Sequence, residues 1–377
     1  MISAPKKILV VPDSFKGTLS AEEASAAISR GFKRVFPQTT ILEFPMADGG
    51  EGSSSIVGRI VGAEKIALAV TGPENTEVQG FYFLDTKGRA FIEMAAASGI
   101  TLVDDLNHNP HKRTTFGTGE LILDAVRRGA KEIFVFFGGS ATSDGGVGIA
   151  RALGYEFYDR FSAVMKFPEG DLREIHRIKK PQGLRLPQIT AIVDVDNPLC
   201  GKTGAAYIYG PQKGLTSELV REVDAGLKFL AATVNRDLEI NLEQEAGSGA
   251  AGGSSYGLRI FAGASLKRGP EFFLDLINFN DLLKDTSLVI TGEGKIDSQS
   301  VKGKLFLELY QRANREKVPV LSLCGVVDVP VEELAQLDHF YAFGLGRADG
   351  MQNTGGALEA LAFETAKLIC SNIPNNY

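Results

Sequence analysis

Three cysteines and four histidines are all that the 377 residues hold of the soft metal ligands. Cys200, Cys324 and Cys370 are odd in number and far apart, so the chain carries no disulfide framework and predicts reduced thiols in a cytoplasm. His108, His111, His176 and His339 show no zinc-ligand spacing and read as structural or surface residues. A basic excess is missing too. With a net charge of −6 the chain cannot neutralise phosphates along a strand, which excludes nucleic acid as its main partner. No segment approaches the roughly 18 apolar residues of a membrane span. The apolar run near the N-terminus, Ile8 to Val11, has the length of a strand and not of a signal peptide's apolar core. There is no internal repeat, and no low-complexity tract beyond the polar Gly/Ser stretch at 247–257.

Glycine, by contrast, is plentiful at 43 of 377 residues, about 11% against roughly 7% in ordinary chains. The surplus sits mostly in short turn-like segments that carry acids. These are Asp48-Gly49-Gly50-Glu51-Gly52, Gly138-Gly139-Ser140-Ala141-Thr142-Ser143-Asp144-Gly145-Gly146, Asp194-Val195-Asp196-Asn197-Pro198 and Gly292-Glu293-Gly294-Lys295-Ile296-Asp297. Glycine lets the backbone bend sharply and approach a ligand, and a carboxylate beside it can hold a cation or take a proton. Several such loops suggest a cleft that handles phosphates and a divalent metal.

Hydrophobic and charged contents of 44% and 23% are those of a soluble globular protein, and the length predicts two domains. Ile8 to Val11 reads as a buried strand. Ser20 with Glu23 is a capping-box signature for a helix through about Phe36, and Thr39 to Phe44 is a second strand. The rhythm returns at Glu132 to Phe137, Ser287 to Thr291 and Pro319 to Cys324. A final helix over about Thr354 to Ile369 has one apolar face. This predicts an α/β fold with mainly parallel sheets and ligand loops at the carboxyl ends of strands. The stretch from about Val70 to Leu282 is less regular, with strands at Gly80 to Asp85 and Arg89 to Met94. The expected division is a discontinuous Rossmann-like domain, 1–70 plus 283–377, with an inserted α/β domain over 71–282.

Two motifs are decoys. Gly247-Ser248-Gly249-Ala250-Ala251-Gly252 fits G-x-G-x-x-G, but Glu243-Gln244-Glu245-Ala246 is a poor strand to precede a dinucleotide loop. Gly201-Lys202-Thr203 matches the end of a phosphate-binding P-loop, yet its first glycine would have to be Asp196. The acidic glycine loops are stronger. Asp13-Ser14-Phe15-Lys16-Gly17-Thr18 lies between a buried strand and a capped helix, where Lys16 and the helix amides suit an anion; the plain alternative is a strand-to-helix connection. Gly138 to Gly146 can cradle a phosphate with amides and hydroxyls. Asp194 and Asp196 at a strand tip suit Mg²⁺ or a general base, or merely close the strand. Gly210-Pro211-Gln212-Lys213-Gly214 offers a loop lysine. Gly292 to Asp297, with Lys302 and Lys304, joins acids and cations able to bind metal and polyphosphate.

Together these segments, with Glu93-Met94-Ala95-Ala96-Ala97-Ser98-Gly99, Gly117-Thr118-Gly119-Glu120-Leu121-Ile122 and Gly249-Ala250-Ala251-Gly252-Gly253, resemble the bacterial type I glycerate kinase family over nearly the whole chain. Local departures are Leu305-Phe306-Leu307-Glu308, where a Pro and Gly-Val are usual, Ser143 in place of Asn, and Lys202-Thr203. The resemblance implies two α/β domains, the second inserted in the first, with the active site between them. It implies ATP-dependent phosphorylation of D-glycerate at the 2-hydroxyl; the alternatives are the 3-hydroxyl or, in another class, a dinucleotide-dependent hydroxy-acid dehydrogenase. The expected roles are Asp194, Lys16 and Lys295 in catalysis, and Asp13, Ser14, Lys16, Asp48, Asn197 and Lys213 at the substrate. Gly139, Ser140, Thr142, Gly292, Gly294, Lys295 and Lys304 are expected at the nucleotide phosphates, and Asp194, Glu293 and Asp297 at Mg²⁺. Partners beyond ATP and glycerate are not called for, though a homodimer fits the reading.

Overall fold

The structure is a computed structural model. It describes residues 5–15, 18–46, 49–50, 52–165, 171–297, 304–330, 334, 336–346 and 353–371, with the backbone alone for Asp297 and Lys304. The chain forms two compact units, Met1–Asp48 with Gly269–Tyr377, and Gly49–Arg268.

The first unit begins with β1 (Lys7–Val10), whose Ile8, Leu9 and Val10 have no exposed surface. A strand buried on both faces needs such an unbroken apolar run. The helix Ala21–Val35 follows, started by the expected capping box: Glu23 N donates to Ser20 Oγ (3.2 Å) and Ser20 N donates to Glu23 Oε2 (2.9 Å). Glu22 and Glu23 in the first turn and Lys33 and Arg34 in the last complement the helix dipole. The chain returns as β2 (Thr40–Glu43), parallel to β1.

Among the described residues the second unit then supplies eight strands. An antiparallel meander, β3 (Glu64–Thr71), β4 (Glu77–Leu84) and β5 (Arg89–Glu93), leads through the helix Phe116–Arg127 to β6 (Glu132–Phe136). A short hairpin, β7 (Glu156–Tyr158) and β8 (Arg177–Lys179), precedes β9 (Gln188–Val193). The helices Ala205–Tyr209, Ser217–Leu238 and Ala250–Ala262 lead to β10 (Ser265–Arg268). The main sheet has the order β10-β9-β6-β5-β4-β3, with β10, β9, β6 and β5 parallel.

The first unit resumes with β11 (Leu288–Thr291), β12 (Lys295–Asp297), the helix Lys304–Arg315, β13 (Val320–Cys324), β14 (Val326–Asp328), β15 (Phe340–Gly344) and the helix Thr354–Ser371. Its sheet, β15-β13-β11-β1-β2, is parallel throughout. Ile8, Val10, Ile28, Phe32, Ile290, Leu321, Leu323 and Leu358 belong to one core.

The unit boundaries differ from the sequence expectation at both ends. Residues 49–70 go with the second unit, because β3 pairs with β4 along its whole length and the helix Ser53–Val61 lies on the same sheet, with Gly58 against the Phe83 ring. Residues 269–282 go with the first unit, where Asp275 pairs with Arg312 at 2.6 Å. The Gly/Ser stretch also differs: most of it lies in the helix Ala250–Ala262, with left-handed Ala251, Gly252 and Gly253 inside. A Cβ on Gly252 would sit 2.1 Å from the Thr142 carbonyl oxygen, so only glycine fits there. Turns, not a strand, precede Gly247, so the dinucleotide fingerprint lacks its context.

Candidate active site

Parallel strands present all their carboxyl ends at one edge of a sheet, where loops meet ligands. In the first unit the loops after β1 and β11 are tied together there. Asp13 N donates to the Gly292 carbonyl (2.9 Å) and Thr291 Oγ1 to the Val11 carbonyl (3.0 Å). Asp13 Oδ1 accepts from Ser14 N (2.6 Å), which orients that carboxylate. The carbonyls of Glu293 and Gly294 accept from Gly325 N and Val326 N. Asp13, Ser14, Gly292, Glu293 and Gly294 therefore share one edge. Lys295 points instead to Asp328 (2.8 Å), and both side chains are about half exposed. Lys16 and Asp48 lie outside the described residues, as does Lys302. Lys304 opens its helix and Asp297 ends β12.

In the second unit the corresponding edge gathers the ends of β5, β6 and β9. Glu93 ends β5 with its carboxylate buried, accepting from Gly52 N (2.7 Å), Ser54 N (3.3 Å) and Ser54 Oγ (2.8 Å). It thereby anchors the N-terminus of the helix Ser53–Val61. After β6, the Gly139 carbonyl accepts from Ile100 N and Ala141 N donates to the Ser98 carbonyl. Asp144, also buried, accepts from Thr115 N (2.9 Å), Thr115 Oγ1 (2.8 Å), Gly146 N (3.0 Å) and Gly148 N (3.1 Å). Burial pushes the Asp144 carboxyl up, and these four donors oppose the shift.

Asp194 and Asn197 follow β9. Asn197 Oδ1 accepts from Tyr209 Oη (2.6 Å) and Asn197 Nδ2 donates to the Thr203 carbonyl (2.8 Å), so the amide is fixed at both ends. Burial raises the Tyr209 hydroxyl, and the charges of Asp194 and then Asp196 add to it. Asp196 pairs with Arg268 at 3.0 Å on the surface.

Lys213, the lysine of the Gly210–Gly214 loop, is buried. Its side chain is enclosed, and Nζ donates to Ser140 Oγ (2.8 Å) and the Thr142 carbonyl (2.7 Å). Burial pushes the ammonium down to about 7, with Asp144 opposing and Arg113 reinforcing the shift. Thr142 is fully buried as well, and its hydroxyl has no hydrogen-bond partner. Sequence reasoning passed over Glu93, Thr115, Arg113 and Tyr209 as site residues. A carboxylate ending a buried strand was a signal for Glu93; Arg113 and Tyr209 gave none.

Among the described residues no group of three or more His, Cys, Asp or Glu is arranged to hold a metal. Mg²⁺ needs less, because one or two carboxylates suffice when waters and phosphate oxygens complete its shell. The carboxylate of Asp194 in the second unit, or of Glu293 in the first, is an oxygen donor of that type. Nor is any helix among the described residues long and apolar enough to cross a membrane.

The family model described as "Glycerate kinase family" matches residues 8–369. The glycerate kinase of Haemophilus influenzae is 42% identical over 323 residues, 85% of each chain. The glycerate 2-kinase of Escherichia coli is 41% identical over 325 residues, again 85% of each. A crystal structure of a Salmonella typhimurium LT2 protein assigned as glycerate kinase 2 superposes with a TM-score of 0.83 at 36% identity, covering 97% of this chain and 98% of that one. With acidic glycine loops at the carboxyl ends of parallel strands in two sheets and these matches over most of its length, the chain belongs to the glycerate kinase family of enzymes.

Proposed function

We propose that this chain transfers the terminal phosphoryl group of ATP to the 2-hydroxyl of D-glycerate, releasing ADP and 2-phospho-D-glycerate. The observation that carries this reading is the family match over residues 8–369, joined to 41% identity with a relative named glycerate 2-kinase.

Phosphoryl transfer asks a protein for alignment and charge neutralisation more than for covalent chemistry. Asp194 is the candidate base that takes the acceptor hydroxyl's proton late in the transfer. Asp13, Ser14, Asn197, Lys16 and Asp48 are the candidates for contacts to the three-carbon acid. The loop amides at Gly139, Gly292 and Gly294, the Ser140 hydroxyl, and Lys295 and Lys304 are the candidates for the nucleotide phosphates. Mg²⁺, when bound, neutralises developing charge on the phosphate oxygens; Asp194, Glu293 and Asp297 are the carboxylates able to hold it. The reaction is placed in the cytoplasm, a reading supported by three cysteines that form no disulfide.

Phosphorus–proton correlation NMR of the product made from D-glycerate, ATP and Mg²⁺ tests both parts. The expected signal couples phosphorus to the single proton on C2. Coupling to the C3 protons overturns the position, and absence of ADP release overturns the reaction.

A further inference from the structure

The buried lysine finds its explanation in what it holds. Lys213 ends the turn Pro211–Lys213 and is 2% exposed. Its main chain is clamped from the other side, because Arg113 Nη1 donates to the Lys213 carbonyl at 2.8 Å. Arg113, also 2% exposed, further donates to the carbonyls of Asp105 (3.0 Å) and Leu106 (2.9 Å). Gly214, at φ +92°, lets the chain turn against that same Leu106 carbonyl; a Cβ there would lie 1.9 Å from its oxygen. The backbone of 213 is thus fixed, and the side chain spans to the loop after β6.

Enclosing a lysine is expensive, and an apolar side chain of similar length would avoid the cost. The two acceptors in reach are Ser140 Oγ and the Thr142 carbonyl, both in the 138–146 loop, and Asp144 in that loop supplies the opposing charge. Because Ser140 Oγ accepts from the lysine, the serine's own hydrogen is left to donate elsewhere. We propose that Lys213 is a positioning residue that braces the 138–146 loop from inside and sets Ser140 as a hydrogen-bond donor to an anionic oxygen, that of a phosphate or carboxylate, without itself touching either substrate. Asp144 and Arg113 are the charged groups that act on it. The kinetic part of this inference rests on the kinase reading; the structural part does not.

The test is a double-mutant cycle on kcat/KM with Lys213→Met, Ser140→Ala and the pair, together with hydrogen exchange of the loop amides. If the lysine acts through the serine, each single change lowers kcat/KM by about tenfold or more, and the pair falls no further than about twofold below the worse single. Losses that multiply overturn the proposal, since they give the lysine a role independent of Ser140. In Lys213→Met the amides of 139–146 exchange about tenfold faster or more while β6 and β9 keep their protection. Unchanged loop exchange, or an equal rise throughout the unit, also overturns it. Should Lys213→Met fail to fold, Ser140→Ala decides: it removes one of the lysine's two acceptors, so exchange must rise in the loop and in 211–214, and no rise refutes the brace. If the wild-type protein releases no ADP with D-glycerate, the kinase reading falls while the exchange result still decides this one.

Discussion

A lysine closed into protein works against its own charge, and the direction of its titration turns that into a measurable property. Burial lowers the Lys213 ammonium from an ordinary value of 10.5 to about 7. Below pH 7 folded and unfolded chains both carry the proton, and the full cost of burying the charge is present. Between about 7 and 10.5 the unfolded chain still holds a proton that the folded chain has released, so stability rises with pH across that window. Above it the cost is gone. Wild type should therefore gain on Lys213→Met as pH rises from 7 to 10, by an amount on the order of a few kcal/mol. The lost bonds to Ser140 and Thr142 add an offset that does not vary with pH. Urea unfolding of both proteins across that range is the measurement, and a flat difference would mean the lysine is already solvated in the folded chain.

At the scale of elements, one contact sets how two helices meet. A Cβ on Gly31, inside the helix Ala21–Val35, would lie 2.6 Å from Ala362 Cβ and 2.6 Å from the Glu359 carbonyl oxygen of the helix Thr354–Ser371. Backbone cannot yield as a flexible side chain can. Gly31→Ala should therefore destabilise the protein by about 1–3 kcal/mol through overpacking, although alanine is the better helix former; a raised urea midpoint would show that the helices part freely. Much of this layer could be read from the chain. The capping box at Ser20 and Glu23 and the apolar runs of β1, β6, β11 and β13 are local signals, and they mark strands and a helix within a residue or two. The limits of the two units were not legible. The meander β3–β4 resembles any amphipathic strand pair, and only its partner β5 assigns it to the second sheet. The burial of Lys213 was not legible either, for a related reason. In a Gly-Pro-Gln-Lys-Gly turn a lysine looks exposed, and the acceptors that enclose it lie 71 and 73 residues away. Acidic glycine loops can be found by composition, whereas the direction of a side chain depends on distant partners.

The two units differ in how much of the chain each needs. In the second, the strands β3 to β10 and the hydrophobic cluster from Ile66 to Ala264 come from one continuous stretch. In the first, β1 lies between β2 from the same segment and β11 from far along the chain, so the sheet requires both segments. A two-stranded piece with one helix cannot bury enough apolar surface to stay folded in water. A fragment of residues 49–268 should consequently fold alone, unfolding in urea in one cooperative transition and keeping slow amide exchange in β6 and β9. A fragment of residues 1–48 should give the circular dichroism of an unfolded chain. Gradual, non-cooperative unfolding of 49–268 would mean that its core is not sufficient by itself, and that the insertion depends on the unit that carries it.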